Sequence, residues 1–103
     1  MRIAVIGGGA AGFFSAIHAK INHPKSEVIL YEKSKKLLAK VKVSGGGRCN
    51  VTNGCVSINE LCKAYPRGGK QLKKIFNTFS TKDTFNWFES KGIPLYTQQD
   101  NRV

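Results

Sequence analysis

Three glycines and one carboxylate carry the most specific chemistry in this sequence. Gly7, Gly9 and Gly12 stand at G-x-G-x-x-G spacing, and Glu32 follows twenty residues after Gly12. Each glycine answers a separate demand of a bound pyrophosphate. Gly7 permits a tight turn, Gly9 has no Cβ to hold a phosphate away from the backbone, and Gly12 lets a helix pack closely on a sheet. A helix opening at that point directs unpaired N–H groups and the positive end of its dipole at the phosphates. A carboxylate at Glu32 accepts hydrogen bonds from ribose hydroxyls and repels a 2′-phosphate, so FAD or NAD is expected there in preference to NADP.

These residues can act only if flanking elements position them. Arg2–Ile6 is short, apolar and β-branched, the pattern of a buried parallel strand. Residues 13–21 carry apolar side chains at helical spacing, residues 22–26 read as a turn, and Glu27–Tyr31 is a second strand closed by Glu32. The result is one strand–helix–strand unit of the dinucleotide-binding kind. A glycine-rich turn with no ligand would account for the glycines but would leave the placement of Glu32 to chance.

The length of 103 residues suits one small domain, and an apolar content of 41% is that of a globular chain. No apolar run reaches membrane-spanning length. The N-terminal apolar run is broken by glycines and lacks the form of a signal peptide, so a cytoplasmic location is expected. The formal net charge is +11, from 17 Lys and Arg against 6 Asp and Glu. A dinucleotide brings only its two phosphates, so most of this excess is left for nucleic acid, an acidic substrate or the remainder of a longer protein. Cys49, Cys55 and Cys62 form an odd set without histidine or carboxylate partners at zinc-finger spacing. Neither a disulfide framework nor a metal site is expected.

A second glycine cluster follows a basic run. Residues 33–42 read KSKKLLAKVK; they suit a solvated linker, and Lys33, Lys40 and Lys42 are also candidates to neutralise phosphate. Ser44, Gly45, Gly46, Gly47, Arg48, Cys49, Asn50, Val51, Thr52 and Asn53 come next. Consecutive glycines allow positive φ and close backbone approach, and successive N–H groups can form an anion-binding nest. Ser44, Asn50, Thr52 and Asn53 add short polar groups suited to flavin edges or to the loop's own backbone. A plain polar surface turn is the alternative. Further on, residues 56–69 look irregular, with a short helical turn near residues 59–64. Residues 70–79 read as an amphipathic helix with Leu72, Ile75, Phe76 and Phe79 on one face. Ser80 and Asp83 form a capping box for another helix bearing Phe85, Trp87 and Phe88, and Gly92 stops it. Most of these aromatics are expected in the core. Residues 93–97 are expected to begin a strand.

The two glycine motifs in order, VIGGGAAG and, after Glu32 and Lys33, VSGGGRCNVTN, resemble the N-terminal part of the bacterial aminoacetone-oxidase-like FAD-binding flavoproteins. The resemblance extends through the closing GIPLYTQQDNRV. It implies an α/β fold: a Rossmann-like FAD/NAD(P)-binding domain of the two-dinucleotide-binding type, of which this chain is the N-terminal portion. It places FAD on Gly7, Gly8, Gly9, Ala10, Ala11, Gly12 and Glu32, with Lys33 and Lys40 nearby. The loop of Ser44, Gly45, Gly46, Gly47, Arg48, Cys49, Asn50, Thr52 and Asn53 then lies near the flavin. Such proteins are several times longer, so the missing C-terminal portion is an expected partner and the chain alone is expected to be inactive. The expected layout is a dinucleotide-binding unit at residues 1–32, a basic linker and flavin loop at 33–58, and a helical segment leading to a strand at 59–103.

The leading expectation is thus the FAD-binding part of an oxidoreductase acting on an unknown small molecule. Arg48 would grip the pyrophosphate or stabilise reduced flavin, and no catalytic base is assignable. A second reading, a flavin-linked dithiol enzyme using Cys49 and Cys55, fits less well because C-x5-C replaces the C-x4-C of such enzymes. A third reading is a basic nucleic-acid-binding module. It has the charge and the aromatics, but no recognised motif, and its lysines are spread along the chain.

Overall fold

The computed structural model describes residues 1–47, 49–99, 101 and 103. The chain forms two compact units, Met1–Cys49 and Asn50–Val103. The division falls inside the second glycine cluster.

The first unit is the strand–helix–strand expected from the sequence. β1 (Arg2–Ile6) pairs in parallel with β2 (Glu27–Tyr31), in register from Arg2 opposite Glu27 to Ile6 opposite Tyr31. α1 (Ala10–Asn22) makes the crossover and packs on both strands. Its last turn is tied down where Lys20 Nζ donates to the carbonyl of buried Ser26, 2.7 Å away. One expectation changes here. β1 reads as a strand buried on both faces, yet its exposure alternates, with Ile3 and Val5 half-buried and Ile6 80% exposed. A single helix covers only one face of a two-stranded sheet, and a strand's side chains alternate between faces.

The basic run also differs from a plain linker. α2 (Ala39–Gly47) begins inside it and is helical through Val43. Ser44 then leaves the helix at φ −64° and ψ 156°, and Gly45, Gly46 and Gly47 all take positive φ, at 60°, 69° and 88°. This left-handed run is what consecutive glycines permit at no steric cost.

The second unit is helical. α3 (Ile58–Lys63) starts at Ser57, whose hydroxyl accepts from the Glu60 N–H, and it packs against α4 (Gly69–Thr78). Leu61 of α3 is the buried apolar centre, 2% exposed. α5 (Thr81–Ser90) opens with the expected capping box: the Ser80 hydroxyl accepts from the Asp83 N–H, and the Asp83 carboxylate accepts from the Ser80 N–H at 2.7 Å. The box holds the Asp83 carboxyl below its ordinary range. Gly92 follows the helix at φ 82°, as a C-terminal stop requires. Thr81 Oγ1 donates to the Cys55 carbonyl at 2.7 Å and anchors α5 to the loop before α3.

The expected strand at residues 93–97 does not form. A strand needs a ladder partner, and the residues paired here are Asn101 and Val103. The Val51 N–H donates to the Val103 carbonyl at 2.6 Å, and the Gly54 N–H to Asn101 at 2.7 Å. The aromatic side chains expected in the core are only half-buried (Phe76, Phe85, Trp87, Phe88), and Ile75 and Phe79 are exposed. Chains of this size bury little, and two small units bury less than one.

Candidate nucleotide-binding turn

The glycine turn between β1 and α1 is fixed by its neighbours on three sides. Gly7, at φ 106°, donates its N–H to the Tyr31 carbonyl at 2.7 Å, which carries the parallel ladder one residue past the strands. Gly8 is buried. Its N–H donates to Glu32 Oε1 at 2.9 Å, and its carbonyl accepts from the Leu38 N–H at 2.8 Å. Gly12 lies directly against the turn: a Cβ added there would sit 1.8 Å from the Gly7 carbonyl oxygen. The helix can approach this closely only with a glycine at that position. Gly9 is the opposite case, because a Cβ there would meet nothing within 4 Å. The space above Gly9 is open, at the end of α1 where the first intrahelical bond is Phe13 N–H to Gly9 O. The N–H groups of Ala10, Ala11 and Gly12 come before that bond, and the first turn holds no acidic residue. An anion placed over Gly9 would face these donors and the positive helix end.

Glu32 stands beside this turn, as its position after β2 requires. Its second oxygen, Oε2, accepts from the Ser34 N–H at 2.7 Å. Ser34 and then the Gly8 N–H stabilise the ionised form and lower its pKa from 4.5 to about 2. A carboxylate has about four acceptor sites, so beyond the Gly8 N–H and the Ser34 donors Glu32 keeps capacity for a further donor such as a sugar hydroxyl. Glu32 therefore does two things in one place: it braces the turn through Gly8, and it presents an acceptor beside it that stays ionised at neutral pH.

The remaining sequence candidates divide between the two units. Lys33 and Lys40 are exposed in the first unit, as is Lys42. Ser44 Oγ donates to the Val41 carbonyl at 2.7 Å, closing the helical part of α2. Exposed Cys49, at φ 56°, donates its N–H back to the Ser44 carbonyl at 3.1 Å across the three glycines. Arg48 lies outside the described residues. Asn50, Thr52 and Asn53 belong to the second unit. There they line a cavity of about 330 Å³ with Tyr65, Phe76 and Thr81 among others. Asn53 Oδ1 accepts from the Cys55 N–H at 2.8 Å, and Asn50 Oδ1 from the Val103 N–H at 3.2 Å. Cys49, Cys55 and Cys62 are free thiols. Among the described residues no cluster of side chains could hold a metal ion, and no helix is long and apolar enough to cross a membrane.

Sequence reasoning missed Ser34, Leu38 and the cavity. Glu32 and Ser34 stand two apart, the spacing at which a side-chain acceptor captures a backbone N–H, so that contact had a local signal. Leu38, at φ 54°, had none, because it reaches Gly8 only through the tertiary fold.

A parallel β–α–β unit with a glycine turn braced by the acid that ends its second strand defines a Rossmann-type dinucleotide-binding domain. Residues 1–103 match the family described as HI0933-like protein Rossmann domain, and the chain belongs to that family. It is similar to the 3-dehydro-bile acid delta(4,6)-reductase of Clostridium scindens, with 30% identity over 103 residues, 96% of this chain and 25% of that protein. It is also similar to the ribosomal RNA dihydrouridine synthase of Escherichia coli, with 45% identity over 82 residues, 80% of this chain and 20% of that protein. The chain thus spans a quarter or less of the length of these relatives.

Proposed function

We propose that this chain is the FAD-binding N-terminal portion of a cytoplasmic, flavin-dependent oxidoreductase of the aminoacetone-oxidase-like kind. The observation that carries the reading is the Glu32 carboxylate held on Gly8 with acceptor capacity to spare, beside the open space over Gly9. Under this reading Gly7, Gly8, Gly9, Ala10, Ala11 and Gly12 receive the pyrophosphate and Glu32 the ribose. Lys33 and Lys40 offset phosphate charge. Ser44, Gly45, Gly46, Gly47, Arg48, Cys49, Asn50, Thr52 and Asn53 serve the flavin side. The bound flavin supplies two-electron transfer, while the protein holds and orients it. The rest of the protein completes the site, and the 103 residues alone are inactive.

The relatives favour reduction as the direction of the chemistry. One is named a reductase. The other is named for dihydrouridine, which is uridine with two hydrogens added. The second relative also suggests a substrate class. An RNA substrate gives a net charge of +11 a purpose that a dinucleotide does not.

The test is flavin binding by the full-length protein. The purified protein is expected to be yellow, or to become so on incubation with FAD. Glu32→Gln keeps the size of the side chain but removes its charge, and charged hydrogen bonds are about twice as strong as neutral ones. FAD affinity is expected to fall about tenfold or more in that variant. A protein that stays colourless with excess FAD overturns the reading, and an unchanged dissociation constant in Glu32→Gln removes Glu32 from the site.

A further inference from the structure

We infer that the outer face of α4 is an RNA-backbone contact surface, with Lys70, Lys73 and Lys74 as its phosphate-binding residues. The inference rests on the RNA-substrate reading above and assigns that substrate a surface. In the sequence these lysines look like part of a dispersed excess. The fold brings them together: positions 70, 73 and 74 are three and four apart on a regular helix, so they share one face, and all three are exposed. The apolar residues of α4 lie on the opposite side, where Leu72 and Phe76 are half-buried. Arg67, also exposed, precedes the helix in the turn from α3.

These charges do not serve the helix itself. Cations favour the last turn of a helix, near its negative end, and α4 has no basic residue there. Instead Lys70 sits in the first turn, where the dipole repels it and where no acidic residue offsets it. Lys70 and Lys74 are a like-charged i,i+4 pair, which destabilises a helix further. The carboxylates of the second unit are committed elsewhere among the described residues. Glu60 pairs with Lys63 at 2.9 Å, Asp83 closes the capping box, and Glu89 Oε1 accepts from the Leu95 N–H at 3.2 Å. Among the described residues the face therefore holds three cations with no paired carboxylate, at a cost to its own helix, and an anionic polymer is the partner that offsets this cost. A phosphate chain releases condensed counterions for each lysine it meets, so the contact leaves a measurable salt signature.

The experiment uses the full-length protein and a fluorescein-labelled oligouridylate of about sixteen nucleotides, with binding followed by anisotropy from about 50 to about 200 mM salt. Changing Lys70, Lys73 and Lys74 together to Gln is expected to lower the slope of log K against log salt by about 2, from about 0.7 per lost contact on a single strand. The triple change to Arg keeps the charge and is expected to keep the slope. A control triple, Lys25→Gln with Lys35→Gln and Lys36→Gln, removes the same net charge from the first unit and is expected to leave the slope within about 0.5 of wild type. Equal effects of both Gln triples overturn the assignment, because the charge then acts only in sum. No effect of the α4 triple also overturns it. So does a loss of binding to phosphatidylserine vesicles with RNA binding intact, which would make the face a membrane contact. FAD absorbance on the same samples keeps the two readings apart: a colourless protein with the expected slopes refutes the cofactor assignment and leaves the RNA surface standing.

Discussion

Gly12→Ala is the sharpest test of how the glycine turn is built. The added Cβ would lie 1.8 Å from the Gly7 carbonyl oxygen, whereas ordinary contact begins near 3.4 Å, so the two must separate by about 1.6 Å. Both atoms are fixed to backbone, and no side-chain rotation relieves the overlap. Forced separations of this kind in packed sites cost about 1–3 kcal/mol. Replacing a helical glycine by alanine returns up to about 1 kcal/mol. The clash is expected to win, with a net loss of up to about 2 kcal/mol and a fall in Tm of about 4–8 °C for each kcal/mol. Thermal unfolding followed by far-ultraviolet circular dichroism measures this loss. A second measurement locates it. If the turn moves, the Gly8 N–H leaves Glu32, and the Glu32 pKa, followed by NMR of its carboxyl carbon, climbs from about 2 toward 4.5. A variant with wild-type Tm and an unmoved Glu32 titration would refute the claim that only glycine fits at position 12.

Two further outcomes follow from the same contacts. The folded state holds Glu32 at a pKa of about 2 against 4.5 unperturbed, so it binds fewer protons than the unfolded chain in that interval. The Glu32 contribution to stability is complete above pH 4.5 and is lost as the pH falls from 4.5 toward 2; urea unfolding across this range is expected to lose that part of its pH dependence in Glu32→Gln. Ser80→Ala removes half of the capping box on α5 and is expected to cost about 1 kcal/mol by urea denaturation, with faster amide exchange at residues 81–84; an unaltered midpoint would mean that Asp83 alone caps the helix.

The parts legible in the sequence are those whose signal is local. β1 and β2 fall where the apolar runs end, because glycine on one side and a polar turn on the other leave no alternative. The start of α5 was legible in Ser80 and Asp83, whose mutual hydrogen bonds need only four residues of chain. Gly12 packs on Gly7, and Glu32 reaches the same turn at Gly8, because one crossover helix fixes the distance between the two strand ends. The helical start of α2 was hidden, since Lys40 and Lys42 surround it with like charge and its apolar residues follow no helical period. The exposure of Ile6 was hidden for a different reason. An apolar side chain states that it favours burial, but whether anything covers it is decided by elements elsewhere. The expected strand at 93–97 failed on the same ground, because a strand exists only by virtue of a neighbour.

The double grip on Gly8 bears on kinetics as well as on geometry. Its N–H is taken by Glu32 and its carbonyl by Leu38, whose left-handed φ of 54° is an unfavourable conformation for a branched side chain. The two peptide groups that flank this residue are therefore immobilised when the domain folds, and the conformational entropy of the turn is given up then, not at the arrival of a guest. A rigid receptor of this kind needs no rearrangement at encounter. Under the proposed reading, the association rate of a dinucleotide is then set by diffusion and long-range charge, and differences in affinity among ligands are expressed mainly in how long each one stays.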